Sequence, residues 1–165
     1  MESRVKQANL VEIGDVDAFD LRMLRALAED GRMSIQRLSD AIGLSPSPVA
    51  RRLARLEEAG FIRGYTARID EVRLGFGVSV FVSVKLDRQV DDALAGFETA
   101  VGQMPEVVDC WLMTGNRDYL LRVVTRDMAE FEQFLTAKLT RLSPVREIES
   151  SIPLRRVKSG IARTP

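Results

Sequence analysis

The sequence predicts an α+β protein in two parts: an N-terminal winged helix-turn-helix domain, then a ferredoxin-like βαββαβ domain. Three observations predict it. Residues 34–59, SIQRLSDAIGLSPSPVARRLARLEEA, have the pattern of two amphipathic helices joined at a glycine. Residues 78–86, VSVFVSVKL, alternate at the period of a strand. The segments after it follow as helix, strand, strand, helix, strand, which completes the split-βαβ order. A length of 165 residues accommodates two such small domains.

Residues 1–15 lack clear periodicity and read as an N-terminal arm. Asp17 can cap a helix running to Glu29, with Phe19, Met23, Leu24 and Leu27 as its buried stripe. Asp30 and Gly31 end it. Ser34 caps the next helix, where Ile35, Leu38 and Ile42 share a face, Gly43 is the stop and Leu44 plugs the turn. Ser45 caps the third helix, and Pro46 takes its first position, where a missing N–H costs nothing. Val49, Leu53 and Leu56 point to the core. At about 100° per residue, Ser47, Pro48, Arg51, Arg52 and Arg55 gather on another side. Gly60 terminates the helix, and FIRGYTARID suggests a small β-ribbon, the wing, at 61–69. The first domain is therefore expected at 16–69, with a hinge at 70–76.

The second domain is expected at 77–158, with a tail at 159–165. Strand 78–86 carries apolar groups on both faces, so it should lie centrally in its sheet. A helix at about 90–103 buries Val90, Ala93, Leu94, Phe97 and Val101. Strands 107–114 and 118–125 form a hairpin about the turn GNR. Asp127 caps a second helix that buries Met128, Phe131, Leu135, Leu139 and Leu142, and Ser143-Pro144 breaks it. A last strand spans 145–154. Pro153 cannot donate to a ladder, which places that strand at an edge or breaks it there. Both helices fall on one sheet face, so the other face is left apolar and open, and predicts a dimer through this domain. Cys110 and Trp111, beside Val107, Val108 and Leu112, read as core or interface residues.

A short helix followed by one with a basic polar face is the arrangement that places a helix in the DNA major groove. Overall charge argues mildly the other way, because 24 basic and 24 acidic residues cancel. The local balance favours it: residues 45–68 hold Arg51, Arg52, Arg55, Arg63 and Arg68 against Glu57 and Glu58. Ser47, Pro48, Arg51 and Arg52 are the expected groove contacts, and Arg55 and Arg63 the expected phosphate contacts. A solvated arginine face on an ordinary helical hairpin is the alternative. Other chemistries find little support. There is no histidine, which removes imidazole metal sites and general bases. No phosphate-cradling glycine loop occurs. No metal or other cofactor is therefore expected. One cysteine excludes an intrachain disulfide and suits a reducing cytoplasm. No signal peptide and no membrane-spanning apolar run is seen.

The stretch DGRMSIQRLSDAIGLSPSPVARRLARLEEAGFIRGYTARID and the later TGNRDYLL, which holds a G-x-x-D-Y motif, closely resemble the leucine-responsive/asparagine-responsive regulators (Lrp/AsnC, or feast/famine, family). The resemblance covers residues 16 to about 158. It implies a prokaryotic cytoplasmic transcription regulator that binds double-stranded DNA, dimerises through its sheet domain and assembles into octamer-like rings. It also implies a small-molecule effector, usually an amino acid, held between dimers. Position by position, Ser45, Ser47, Pro48, Arg51, Arg52 and Arg55 match the recognition-helix segment. Gly115, Asp118 and Tyr119 match the effector loop, and Ser150 and Ser151 fall where the last strand brings hydroxyls to that pocket. Gly115 permits close backbone approach, Asp118 could accept an ammonium group, and Tyr119 offers a wall with a polar tip. A plain hairpin turn with a capping Asp and a core Tyr is the competing reading. Two features depart from the family pattern: the segment before the first helix carries no family signal, and Pro153 stands in the last strand. Some haem-pathway decarboxylases share the architecture but are described as using histidine, which this chain lacks. An architectural DNA binder without an effector is the remaining alternative.

Overall fold

In the computed structural model, residues 16–87 and 91–158 are described. The expected arm at 1–15, the tail at 159–165 and Val90 lie outside them. The chain divides into two compact units, with the division between Arg68 and Ile69.

The first unit holds three helices. α1 (Ala18–Glu29) starts in a capping box: the Asp17 side chain accepts from the Asp20 N–H, and the Asp20 side chain accepts from the Asp17 N–H. α2 (Ile35–Ile42) is capped by Ser34 and closed by Gly43, whose φ of 74° is the left-handed conformation glycine adopts freely. α3 (Pro46–Glu58) starts at Ser45, which has capping backbone angles but no side-chain cap bond. Met23, Leu38, Ile42, Val49 and Leu56 are the buried core, ringed by Leu24, Leu27, Leu44, Leu53, Phe61 and Ile62. Phe19, expected in the stripe, is only half-buried. The ribbon expected at 61–69 does not form, since this segment carries no strand. It pairs with no other strand among the described residues, and instead Phe61 and Ile62 dock on the core. The Tyr65 hydroxyl donates to Glu57 at 2.8 Å, and its ring edge lies 3.3 Å from where a Cβ on Gly31 would stand.

The second unit is the expected βαββαβ sheet. Its elements are β1 (Val78–Leu86), α4 (Asp91–Val101), β2 (Val107–Leu112), β3 (Tyr119–Thr125), α5 (Met128–Ala137) and β4 (Val145–Ser151). The sheet is antiparallel in the order β2-β3-β1-β4, so β1 is central and β4 is an edge. Pro153 falls beyond the end of β4, where it costs no ladder bond. Alternation puts Val80, Val82, Val84, Leu121 and Val123 in one core with Phe97, Val101, Phe131, Phe134 and Leu139. Two burial assignments change: Met128, expected in the buried stripe, is 51% exposed, while Phe134, outside the expected stripe, takes a core place. The opposite sheet face carries Phe81, Trp111 and Leu120. The segment expected as a hinge, 70–76, clusters with this unit. It contains a 3₁₀ turn (Val72–Leu74), and Glu71 accepts two bonds from Arg122, at 2.8 and 3.0 Å.

Candidate functional site

The polar residues of α3 share one broad face, and their partners divide them into outward and ion-paired side chains. Ser45, Ser47 and Arg51 are exposed and Pro48 is half-buried. Arg51 makes no ion pair among the described residues. Arg52, one residue on, turns toward the start of α1. Its Nη1 donates to Asp17 Oδ2 at 2.6 Å and to Asp20 Oδ1 at 2.9 Å. Arg55 Nη2 donates to Asp20 Oδ2. The Asp20 side chain is fully buried, and its Oδ2 also accepts the Asp17 N–H, at 3.0 Å. Arg22 and Arg52 both lie against the Phe19 ring, at 4.5 and 5.6 Å from its centre. Its hydrogen bonds to Asp20 and Asp17 raise the Arg52 pKa above its ordinary value. The Asp17 carboxyl is lowered, first by the Asp20 N–H and then by Arg52. Sequence reasoning found Asp17 as a cap and missed Asp20. A D-x-x-D capping box was visible, but nothing in the sequence signals pairing with arginines 32 and 35 positions away.

In the second unit, the β2–β3 hairpin supplies the expected effector loop. Gly115 sits at φ 111°, a conformation that side chains rarely adopt. Asp118 is 4% exposed. Its N–H donates to Val84 O at 2.9 Å, and its Oδ2 accepts the Leu86 N–H at 2.7 Å. The carboxylate expected to meet a ligand ammonium therefore closes the end of β1, where an unmatched N–H would be costly. Tyr119 is also buried. Its ring packs on Phe97 at 4.6 Å, and its hydroxyl donates to Glu98 Oε1 at 2.8 Å. Burial and Glu98 push its pKa up. Beside it lies a groove of about 270 Å³ between α4 and β2, lined by Glu98, Val101, Val107, Val108, Leu112 and Tyr119 among others. Ser150 and Ser151 do not join this group within one protomer. They lie on β4, separated from β3 by β1, and opposite Val82 and Phe81 they point to different faces. Arg117, passed over in the sequence, crosses to β4 and pairs with Glu147 (2.7 Å) and Glu149 (3.0 Å).

Two family models match. Residues 16–63 fit a winged helix-turn-helix DNA-binding model, and residues 79–162 fit the Lrp/AsnC ligand binding domain. The chain belongs to the Lrp/AsnC family. It is similar to the Bkd operon transcriptional regulator of Pseudomonas aeruginosa, with 48% identity over 88% of this chain and 95% of that protein. The leucine-responsive regulatory protein of Escherichia coli K12 is 38% identical over 88% and 89%. Among solved structures, a Neisseria meningitidis transcriptional regulator in complex with L-Met superposes with a TM-score of 0.84 and 36% identity, covering 87% of this chain and 93% of that one. As an Lrp/AsnC protein the chain is a DNA-binding transcriptional regulator with a ligand-binding domain, and not an enzyme. Among the described residues no helix is long and apolar enough to cross a membrane.

Proposed function

We propose that this Lrp/AsnC regulator reads a roughly palindromic duplex through the Ser45, Ser47, Pro48 and Arg51 flank of α3, and that an L-amino acid with an apolar side chain retunes that binding. The division of the α3 side chains into outward and ion-paired ones carries the first half. Serine and arginine side chains on an exposed helix face suit base edges and phosphates. Arg52 and Arg55 act as positioning residues, since their guanidiniums are engaged by buried or capping carboxylates. Arg63 is exposed and suits a phosphate.

The effector class is supported by the names of the relatives, one leucine-responsive and one solved with L-Met. Gly115 shapes the sensing hairpin, and Asp118 and Tyr119 hold it from within rather than offering their polar groups to the ligand. Ser150 and Ser151 would reach a ligand only from a second copy. The open face around Phe81, Trp111 and Leu120 suits dimerisation, because most of its charges pair with one another: Arg122 with Glu71 and Asp109, and Arg117 with Glu147 and Glu149. Dimers of dimers, up to an octamer, working in the cytoplasm, complete the proposal.

A thermal-shift screen of the full chain against the L-amino acids tests the effector. A ligand at 100 times its Kd adds about 2.7 kcal/mol, which moves the transition visibly. A hit confined to leucine, methionine and similar side chains supports the proposal. Silence across the panel overturns the amino-acid effector and favours an architectural DNA binder.

A further inference from the structure

We infer that Asp20, assisted by Asp17, is a specificity-determining residue of the DNA-reading unit: it withholds Arg52 and Arg55 from the phosphate backbone. This rests on α3 being the reading helix. α3 carries three arginines within five positions, two of them turned to the Asp20 carboxylate, with Arg52 also paired to Asp17. The Asp20 side chain is fully buried, and both of its oxygens face an arginine nitrogen. Arg52 and Arg55 are themselves only partly covered, at 26% and 49% exposure. Each is long enough to swing outward if its carboxylate were neutral.

The consequence concerns two kinds of binding. Each arginine that reaches a phosphate releases condensed counterions and strengthens binding to any sequence alike. Arg51, outward and without an ion pair among the described residues, can discriminate bases. Holding the other two arginines on α1 keeps the indiscriminate component small and fixes the rotation of α3 about its axis. A purely structural clamp would act differently: its loss would weaken binding to every duplex in parallel.

The test uses the full chain and two duplexes: one that the wild type enriches from a randomised library, and a scrambled duplex of equal composition. Affinities are measured by fluorescence anisotropy from 50 to 200 mM salt. Asp20→Asn keeps the shape and removes the charge. Its binding to the scrambled duplex should tighten several-fold. The slope of log K against log salt should steepen by about 1 to 2 per reading helix, near 0.9 for each new phosphate contact. The enriched-to-scrambled ratio should fall about tenfold. Asp17→Asn, which keeps an N-cap residue and frees only part of the Arg52 pair, should steepen the slope by up to about 1, and carries the test if Asp20→Asn does not fold. Adding Arg52→Gln and Arg55→Gln to Asp20→Asn should return the slope to the wild-type value. An unchanged slope and ratio, or equal losses on both duplexes, overturns the inference. If the wild type enriches no duplex, the reading of α3 fails instead.

Discussion

At the residue scale, Arg51 and Arg52 are sequence neighbours with different surroundings. Arg51 projects outward from α3, whereas Arg52 is bound to Asp17 and Asp20. Arg51→Ala should therefore weaken binding to the enriched duplex by about 1–3 kcal/mol, as for a lost bidentate base contact. Binding to a scrambled duplex should fall much less. Equal losses on both duplexes, by anisotropy at fixed salt, would make Arg51 a phosphate contact. The two tyrosines give a second residue-level reading. Desolvation and Glu57 push Tyr65 up to about 12, and burial with Glu98 raises Tyr119 as well. A raised tyrosine pKa favours the folded state below about pH 10, and that contribution fades as pH climbs toward 12. Absorbance at 295 nm should thus stay flat through pH 10 and rise only near 12 or on unfolding. A full tyrosinate step centred near 10 in the folded protein would refute both placements.

At the scale of elements, the hairpin proposed as the sensor is held from within. The β2–β3 connection is fastened by Asp118, whose carboxylate caps the Leu86 N–H and whose backbone bonds to Val84 and Met113. Asp118→Ala leaves a buried N–H unmatched and should cost about 1–3 kcal/mol in urea unfolding. Asp118→Asn retains an acceptor and should recover much of that loss. If the hairpin is the sensor, Asp118→Ala should also lose its ligand-induced thermal shift while still binding DNA. An unaltered transition midpoint in Asp118→Ala would mean that the bond contributes nothing.

For the whole molecule, charge pairing and the open sheet face set the behaviour. Asp17, Glu71 and Glu147 are all held below the usual carboxylate range, by the Asp20 N–H, Arg122 and Arg117 respectively. Depressed carboxylate pKa values add stability that is complete above about pH 5 and fades as pH falls through and below about 4. The urea midpoint should therefore be level from pH 7 to 5 and drop below 4. A midpoint that rises on acidification would contradict the pairings. Trp111, the single tryptophan, is 43% exposed on the open face. A charge there should prevent burial against a second copy. Trp111→Glu should sediment as a monomer with an intact fold by circular dichroism. A dimer unaffected by that change would move the interface off this face.

What was legible in the sequence was local. Caps at Asp17, Ser34 and Asp127, the stop at Gly43, and the alternation of residues 78–86 each depend on a few neighbours, so they could be read one segment at a time. The absence of a wing ladder at 61–69 was not legible, because a strand needs a partner that its own residues do not specify. Met128 and Phe134 exchanged roles for a similar reason: helical periodicity gives a face, and only the packing of α5 on the sheet decides which edge of that face is covered. The site divided along the same line. Sequence by itself determined which residues form the basic helix α3 and the β2–β3 hairpin, through motif and order. Tertiary structure decided the direction of Arg52, Arg55, Asp118 and Tyr119, because ion pairs and buried hydrogen bonds join residues some 20 to 35 positions apart, beyond any periodicity.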